Sequence, residues 1–286
     1  MKFTIADFNK RFPDDNACID EIFRIRFSGL KACPQCEKET KFHKISKRRC
    51  YACQWCGYQI YPTKGTIFEK STTSLRHWLY AMYLMTATRS GVSAKELERQ
   101  LGVTYKCAWR IAKQIRTLMG SKETNKLNGI VEIDDTYIGG IKRGKRGRGA
   151  KDKTVVFGLL ERGGNVKAVQ LDNLKKSTVE PIVDVAIERG AEIHSDEFLS
   201  YQTLASRGYK HSFVSHGKKE YVSGNTHIQS IEGFWSQLKR SISGTHVWVS
   251  KKHLQNYVDE FAFRYNLRGQ PTSMFNSLLS RLIWPS

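Results

Sequence analysis

The spacing of apolar residues changes along the chain and separates a helical region from a region of mixed strands and helices. Between Ser71 and Met119, apolar residues recur every three or four positions, which is typical of helices that bury one face. After Gly120 the apolar residues form short stretches bounded by glycine-containing connections, which is typical of strands. The predicted strands cover residues 130–133, 154–160, 166–171 and 191–195, with a helix from 177 to about 189 before the last strand. This order predicts an α/β domain with a mixed sheet.

The end of the helical region has the pattern of a helix-turn-helix. Ser93 and Glu96 have the spacing of a capping box, Gly102 lies in the predicted turn, and Thr104 is placed to cap the next helix. The residues of this second helix that we expect to contact DNA are Lys106, Arg110, Lys113 and Gln114. The alternative is an ordinary helical hairpin with solvated lysines. We favour DNA binding because a basic segment directly precedes these helices.

Cysteines near the N-terminus form two C-x-x-C pairs with sixteen residues between them. The pairs are Cys33 with Cys36 and Cys53 with Cys56. This spacing predicts one structural Zn²⁺ held by four thiolates. Disulfides or free thiols are the alternatives, and a reducing cytosol disfavours disulfides. Cys50 is interpreted as a spare cysteine, and His43 is an alternative ligand.

Composition and charge indicate a soluble protein that binds a polyanion. The chain has 286 residues, of which 40% are hydrophobic, and this content excludes wholesale disorder. The longest apolar run, from Trp78 to Met85, is far shorter than the ~18 residues of a membrane span, so we expect a cytoplasmic, nucleoid-associated protein. The formal net charge is +20, and residues 1–130 hold 24 basic against 11 acidic side chains.

One glycine-rich segment carries most of the remaining excess of positive charge. Residues 142–153 include seven basic side chains and one acidic side chain. We expect the segment to be an arm that follows DNA phosphates. The side chains expected to bind DNA are Lys142, Arg143, Lys145, Arg146 and Arg148. The alternative is a solvated loop that is disordered in the free protein.

Three acidic residues lie where an α/β sheet commonly binds ligands. Asp134 closes the first predicted strand, Asp196 closes the strand after the long helix, and Glu232 begins a helix that runs to about Ser241. Lys239 lies two turns beyond Glu232 and therefore on the same helical face. Three carboxylates at one sheet edge suit two Mg²⁺ or Mn²⁺ ions, whereas a single carboxylate is more often an exposed or capping group. The neighbouring Asp135 and Glu197 are expected to point to the opposite face of the sheet.

Several blocks of the sequence resemble bacterial insertion-sequence transposases of the DDE type, specifically the ISXO-type group with an N-terminal zinc ribbon. The blocks are Val131–Gly140 (VEIDDTYIGG), His194–Glu197 (HSDE), Ile231–Lys239 (IEGFWSQLK) and residues 253–266. The resemblance implies an RNase H-like catalytic domain. It also implies that Asp134, Asp196 and Glu232 form the family's metal-binding triad and that Lys239 matches the lysine following the glutamate.

The resemblance also implies an activity and a division of the chain. We expect an N-terminal segment and zinc ribbon at 1–70, a helix-turn-helix domain at 71–124, and a catalytic domain with C-terminal helices at 125–286. The expected reactions are metal-dependent hydrolysis of the element's ends and joining of their 3′-OH groups to target DNA. The partners are then double-stranded DNA and at least a second copy of the chain. The alternatives are a DNA-binding regulator with idle carboxylates and a simple metal-dependent nuclease.

Overall fold

The chain divides into two structural units, each with its own core. The computed structural model describes residues 3–45, 48–120, 125–139, 153–214, 222, 225–269 and 274–282. One unit comprises Met1–Leu118 and Gln270–Ser286, and the other comprises Met119–Gly269. Among these described residues, no helix has both the length and the apolar character needed to cross a membrane.

The first unit begins with two capped helices and a small antiparallel sheet. Its first elements are α1 (Ile5–Arg11), α2 (Asp15–Phe27), β1 (Phe42–Lys44), β2 (Tyr51–Cys53) and β3 (Gln59–Ile60), with the strands in the order β1-β2-β3. The side chains of Thr4 and Asp14 accept hydrogen bonds from first-turn amides and so satisfy donors that a helix leaves unpaired. The ring of Tyr51 stacks on Phe23 at 3.9 Å between ring centres, and this contact joins the sheet to α2.

Three helices follow in the same unit and include the helix-turn-helix pattern. They are α3 (Leu75–Ala87), α4 (Ala94–Leu101) and α5 (Tyr105–Met119). The amide of Glu96 donates to Ser93 Oγ at 3.1 Å, which caps α4 as predicted. Gly102 ends α4 with φ of +63°, in the left-handed region that glycine adopts without strain. The sequence therefore located both helices and the turn between them.

The C-terminal helix packs in the first unit. The second unit therefore ends at Gly269, and not at residue 286 as expected for the catalytic domain. This helix, α9 (Met274–Ser280), was expected to belong to the catalytic domain. The ring of Phe275 lies 6.2 Å from that of Phe8 and 6.0 Å from that of Phe12, both of which are fully buried. Because so short a helix is stable only when its apolar side is buried, these contacts fix α9 in the first unit.

The second unit is built on a five-stranded mixed sheet with RNase H-like topology. Its strands are β4 (Ile130–Ile138), β5 (Thr154–Glu161), β6 (Val166–Leu171), β7 (Glu192–Asp196) and β8 (Lys210–Val214). Their order across the sheet is β6-β5-β4-β7-β8. The first three strands pair antiparallel, whereas β4, β7 and β8 run parallel. An antiparallel meander extended by two parallel strands is the RNase H-like arrangement implied by the resemblance.

Helical segments cover both faces of this sheet. One face packs against α6 (Lys176–Ala186) and a 3-10 segment at Leu199–Arg207, and the other packs against α7 (Gln229–Ser241) and α8 (Lys251–Asn266). Two apolar cores result, one on each side of the sheet. The inner strand β5 is therefore buried along almost its whole length, as expected of a strand covered on both faces.

The structure corrects two boundaries in this unit. Strand β4 continues to Ile138, because it pairs with β5 as far as Thr154, so Asp134 lies within the strand rather than at its end. Helix α6 ends at Ala186, three residues earlier than expected. The next residue, Ile187, forms a parallel bridge with Leu127, and this pairing ends the helix. Both boundaries depend on pairing with distant segments.

Candidate active site and cysteine cluster

The four predicted cysteines come together in the first unit. Their sulfur atoms all lie within 4.8 Å of one another, and no other such group of potential ligands occurs among the described residues. Cys33 and Cys56 are 3.6 Å apart at Sγ, and Cys36 and Cys53 are 3.9 Å apart. Two thiolates at ~2.3 Å from a tetrahedral zinc ion would be separated by about 3.8 Å, so the spacing fits the ion.

Local backbone geometry supports this cluster. The amide of Gln35 lies 3.4 Å from Cys33 Sγ, and the amide of Trp55 lies 3.4 Å from Cys53 Sγ, so each C-x-x-C turn directs an N–H group at its first sulfur. Such N–H groups stabilise negative charge on a thiolate ligand. Cys50 is buried outside the cluster, with its sulfur 3.7 Å from Gln59 Oε1.

The residues predicted to contact DNA on α5 differ in their surroundings. Lys106 and Arg110 are exposed, whereas Lys113 and Gln114 are half-buried. The Arg110 guanidinium donates to the hydroxyl groups of Ser71 and Thr73 at 3.3 and 3.4 Å. Arg110 is therefore held against its own unit, and Lys106 is the more freely presented of the two cations. The predicted basic arm, with Lys142, Arg143, Lys145, Arg146 and Arg148, lies outside the described residues.

Asp134 and Asp196 occupy matching positions on neighbouring parallel strands. The last recorded pair between β4 and β7 joins Glu132 with His194, and each aspartate lies two residues further along its strand. Because side chains alternate along a strand, both aspartates point to the face that α7 covers. Glu232 is in the first turn of α7, on the same side of the sheet. The fold thus brings the three predicted acidic residues to one side of the sheet from three separate elements.

The carboxyl group of Asp134 is strongly perturbed. Removal from water and the neighbouring Asp135 raise its pKa to about 8, and the charges of Asp196 and Glu232 act in the same direction. The three groups therefore interact, although their oxygen atoms do not meet the 4.8 Å spacing that marks the cysteine cluster. A carboxyl group with this pKa exchanges its proton for a cation near neutral pH.

A tryptophan on α7 holds the Asp134 carboxylate. Trp235 Nε1 donates to Asp134 Oδ2 at 3.1 Å, and the indole packs over Gly158 of β5, the residue paired with Asp134 in the sheet. A Cβ atom at position 158 would lie 2.5 Å from the Trp235 ring, closer than real contacts allow. Glycine at this position is therefore what lets the indole reach Asp134.

Lys239 lies beside the acidic residues. It lies on α7, seven residues after Glu232, with part of its side chain open to solvent and part of it shielded by the neighbouring protein. Partial burial lowers the pKa of Lys239, the charge of Asp134 acts in the opposite direction, and Lys153 lowers it further. An ammonium group that interacts with Asp134 is therefore present at the same face of the sheet.

Asp135 points to the opposite face, as predicted. Its Oδ1 accepts a hydrogen bond from Tyr201 Oη at 3.2 Å, and Tyr201 belongs to the core on the α6 side of the sheet. Glu197 follows the end of β7 and is exposed.

Sequence reasoning missed a buried polar cluster next to the acidic residues. Glu132 is fully buried and forms an ion pair with Arg162 at 3.0 Å, and Arg162 also contacts His194. The available signal was a glutamate at the third position of the otherwise apolar predicted strand at 130–133, where a charge is unfavourable unless a partner is present. His227 also faces this cluster, because its Nδ1 is 3.3 Å from the Arg162 guanidinium.

Comparisons with known proteins match both units. A transposase zinc-ribbon family model matches residues 13–59, and an ISXO2-like transposase domain model matches residues 126–266. A protein of transposable element ISH50 from Halobacterium salinarum is 28% identical over 281 residues, which cover 92% of this chain and 94% of that protein.

Two solved structures share a distant likeness with the chain. The catalytic core domain of BIV integrase has 13% identity and a TM-score of 0.33, over 48% of this chain and 84% of its own. The Mos1 strand transfer complex has 12% identity and a TM-score of 0.30, over 73% of this chain and 78% of its own. The two matched ranges cover the cysteine cluster and the acidic side of the sheet, and over these ranges the chain is similar to ISXO2-like transposases with a transposase zinc ribbon.

Proposed function

We propose that the protein binds the ends of its DNA element, hydrolyses them to expose 3′-OH groups, and joins these groups to target DNA by transesterification. The observation that carries this proposal is the convergence of Asp134, Asp196 and Glu232 on one side of an RNase H-like sheet. Burial and Asp135 raise the pKa of Asp134, and the charges of Asp196 and Glu232 add to this rise. Lys239 adds a cation beside this acidic group.

The acidic group fits divalent cations of the Mg²⁺ type. Carboxylate oxygens are the ligands that Mg²⁺ and Mn²⁺ prefer, and the mutual repulsion of Asp134, Asp196 and Glu232 is relieved when cations bind between them. Two such ions, when bound, supply activation of an attacking oxygen and neutralisation of charge on the phosphate. The side chains of this chain hold and orient that site.

Both proposed reactions are in-line substitutions at phosphorus. In the first, a water oxygen bonds to phosphorus while the bond to O3′ at the element's end breaks, leaving a 3′-OH and a 5′-phosphate. In the second, that 3′-OH bonds to a target phosphorus, and the target's own O3′ leaves with a proton. We assign to Lys239, which interacts with Asp134, the contact with the phosphate, and to Trp235 the orientation of the Asp134 carboxylate in both steps.

We also propose that the first unit recognises the element's ends. The four-cysteine cluster has the sulfur spacing that structural zinc requires, and a sheet with strands of only two or three residues depends on such an ion for stability. Helices α4 and α5 are placed as a helix-turn-helix with Lys106 exposed on the second helix. The basic segment at 142–153 adds phosphate contacts, and two copies of the chain hold two ends together.

Cleavage of an end duplex in Mg²⁺ tests the proposal. The flanking DNA of the gene is first searched for an inverted repeat, which the duplex then carries, and binding is measured separately by mobility shift. We expect the full-length protein to cut one strand at the repeat boundary and Asp134→Asn to bind equally but cut at least about 1,000-fold more slowly. The matched control is Asp172→Asn, which removes a highly exposed carboxylate paired with Lys251.

Two outcomes would contradict the proposal. Cleavage by Asp134→Asn at the rate of Asp172→Asn would show that the acidic group is not the active site. Binding without any cleavage by the unmodified protein would support the DNA-binding regulator instead.

A further inference from the structure

The three acidic residues belong to β4, β7 and α7, so their relative positions depend on what fastens these elements together. The connection is a buried polar cluster, which lies two residues before the aspartates on both β4 and β7. Glu132 lies two residues before Asp134, and its partner across the β4–β7 pair, His194, lies two residues before Asp196. Both are fully buried and point to the same side of the sheet as the aspartates.

Glu132 caps the helix that carries Glu232. Its Oε2 accepts from the amides of Ser230 and Ile231 at 2.8 and 3.0 Å, and its Oε1 accepts from Ser230 Oγ at 3.0 Å. These amides belong to the first turn of α7, whose own N-cap residue Ile228 supplies no side-chain hydrogen bond. A carboxylate on β4 therefore replaces a local cap, and it fixes the start of α7 on β4.

Arg162 extends the connection to β7. Its Nε donates to Glu132 Oε1 at 3.0 Å, and one terminal nitrogen lies 3.1 Å from His194 Nδ1. Because a guanidinium only donates, Nδ1 accepts, and His194 Nε2 donates to Glu192 Oε1 at 2.7 Å. The same terminal nitrogen donates to the His227 carbonyl at 3.1 Å, in the segment before α7. One arginine thus contacts β4, β7 and the segment that leads into α7.

Stability alone does not explain why this core contains a charged cluster. A buried carboxylate and guanidinium lose their hydration, and well-packed apolar residues of similar size often serve a core equally well. The charged pair adds directional hydrogen bonds, since a guanidinium has several donors in a fixed plane and a carboxylate accepts along defined directions. Such a pair sets the angle and register of three elements in a way that apolar packing does not.

We infer that Glu132 and Arg162 are positioning residues that hold Asp134, Asp196 and Glu232 in the arrangement that binds divalent cations. This inference rests on the proposed function, because it assumes that the three acidic residues form the cation site. Neither Glu132 nor Arg162 is assigned contact with the DNA or with the cations. Their effect is exerted through the backbone of β4, β7 and α7.

The test compares Glu132→Gln with Glu180→Gln in the full-length protein. Glu180 is also a mostly buried glutamate of the second unit, bonded to Thr203 Oγ1 at 2.7 Å and paired with Arg207, but it lies on the opposite side of the sheet. Mn²⁺ binding is measured by calorimetry and by the electron paramagnetic resonance signal of free Mn²⁺, and end binding is measured by mobility shift. Thermal unfolding without metal reports the structural cost of each variant.

We expect Glu132→Gln to weaken Mn²⁺ binding by about 10- to 100-fold, while end binding stays within about twofold of the unmodified protein. Glu180→Gln is expected to lower the unfolding temperature without weakening Mn²⁺ binding. Ser230→Ala is a milder second variant, which removes one hydrogen bond to Glu132 and leaves no buried charge unpaired. It is expected to weaken Mn²⁺ binding by about fivefold, and it keeps the test decisive if Glu132→Gln does not fold.

The inference would be overturned if Glu132→Gln and Glu180→Gln bound Mn²⁺ with equal affinity. If Glu132→Gln does not fold, equal affinity of Ser230→Ala and Glu180→Gln would overturn it. Failure of the proposed function gives a different result, because the unmodified protein and Asp134→Asn would then bind Mn²⁺ equally weakly. The Glu132 and Ser230 variants therefore test the inference when the unmodified protein binds Mn²⁺ and Asp134→Asn does not.

Discussion

Trp235 Nε1 donates a hydrogen bond to Asp134 Oδ2 at 3.1 Å, and this bond links the helix that carries Glu232 directly to the central strand of the sheet. One oxygen of the carboxylate is thereby occupied by a fixed donor, and the orientation of the other oxygen is set. Packing of the indole against Gly158 leaves little freedom for either ring or carboxylate. An aromatic residue in the core thus takes part in arranging the acidic group.

Replacement of Trp235 by phenylalanine should weaken cation binding. The variant keeps most of the apolar contact but loses the donor that stabilises the ionised form of Asp134, so the pKa of that carboxyl should rise further. We expect Mn²⁺ binding at pH 7 to weaken by about tenfold, measured by calorimetry. Trp78→Phe is the control, since it loses an indole hydrogen bond to Ser71 in the other unit. Unchanged Mn²⁺ affinity in Trp235→Phe would refute this role.

Addition of a methyl group at Gly158 should disturb the same contact. A Cβ atom there lies 2.5 Å from the Trp235 ring, so the ring must move away from Asp134. We expect Gly158→Ala to lower the free energy of unfolding by about 1–3 kcal/mol in urea titrations. The cost should shrink in the Trp235→Phe background, because the smaller ring leaves room for the methyl group. Gly244→Ala, where a Cβ atom meets nothing within 4 Å, is the control. Equal costs in both backgrounds would contradict the proposed contact.

Much of the fold was predictable from local patterns. Short apolar stretches and glycine-containing turns located four strands of the second unit but not β8, and the Ser93 and Gly102 signals located the helix-turn-helix. The cysteine spacing predicted the cluster because two short turns bring the sulfurs together with little help from the rest of the chain. These features depend on residues close together in the sequence.

The features that were missed depend on distant residues. The cap that Glu132 provides to α7 joins positions 98 residues apart, and no pattern near Ser230 reveals it. The extension of β4 past Asp134 requires pairing with β5, and the place of α9 follows from aromatic contacts with residues near the N-terminus. A single sequence shows such a buried charge only as an exception to the apolar pattern, without naming its partner.

The raised pKa of Asp134 predicts how stability changes with pH. Its folded value of about 8 exceeds the unfolded value of ~3.9, so the native state binds this proton more tightly. The stability contributed by the protonated form is complete below about pH 4 and is lost as the pH rises toward 8. We therefore expect metal-free Asp134→Asn to become increasingly more stable than the unmodified protein between pH 5 and 8, as measured by thermal unfolding.

Added Mn²⁺ should reverse that difference at pH 8. The cation takes the place of the proton, so it should raise the unfolding temperature of the unmodified protein but not that of Asp134→Asn. Asp172→Asn is the control, because Lys251 lowers the pKa of that exposed carboxyl. Parallel unfolding curves for Asp134→Asn and the unmodified protein across this pH range would show that Asp134 does not titrate as described.

Removal of zinc should abolish end recognition. We expect elemental analysis to find one zinc ion per chain and Cys56→Ser to lose it, with a loss of end-DNA binding in mobility shifts because the small sheet then unfolds. Cys50→Ser should retain one zinc ion, since the Cys50 sulfur lies outside the cluster. Full zinc content in Cys56→Ser, or loss of zinc in Cys50→Ser, would show that a different set of cysteines binds the ion.

The central claim is that one site, formed by Asp134, Asp196 and Glu232, both cuts and joins DNA. The joining of pre-cut ends to a target plasmid in Mg²⁺ tests this claim most directly. We expect the unmodified protein to join an end duplex that has a 3′-OH, but not one that has a 3′-deoxy end, and we expect Glu232→Gln to lose joining and cutting together. Cutting without any joining would identify a simple nuclease. Joining by Glu232→Gln at the unmodified rate would contradict the assignment of the acidic group.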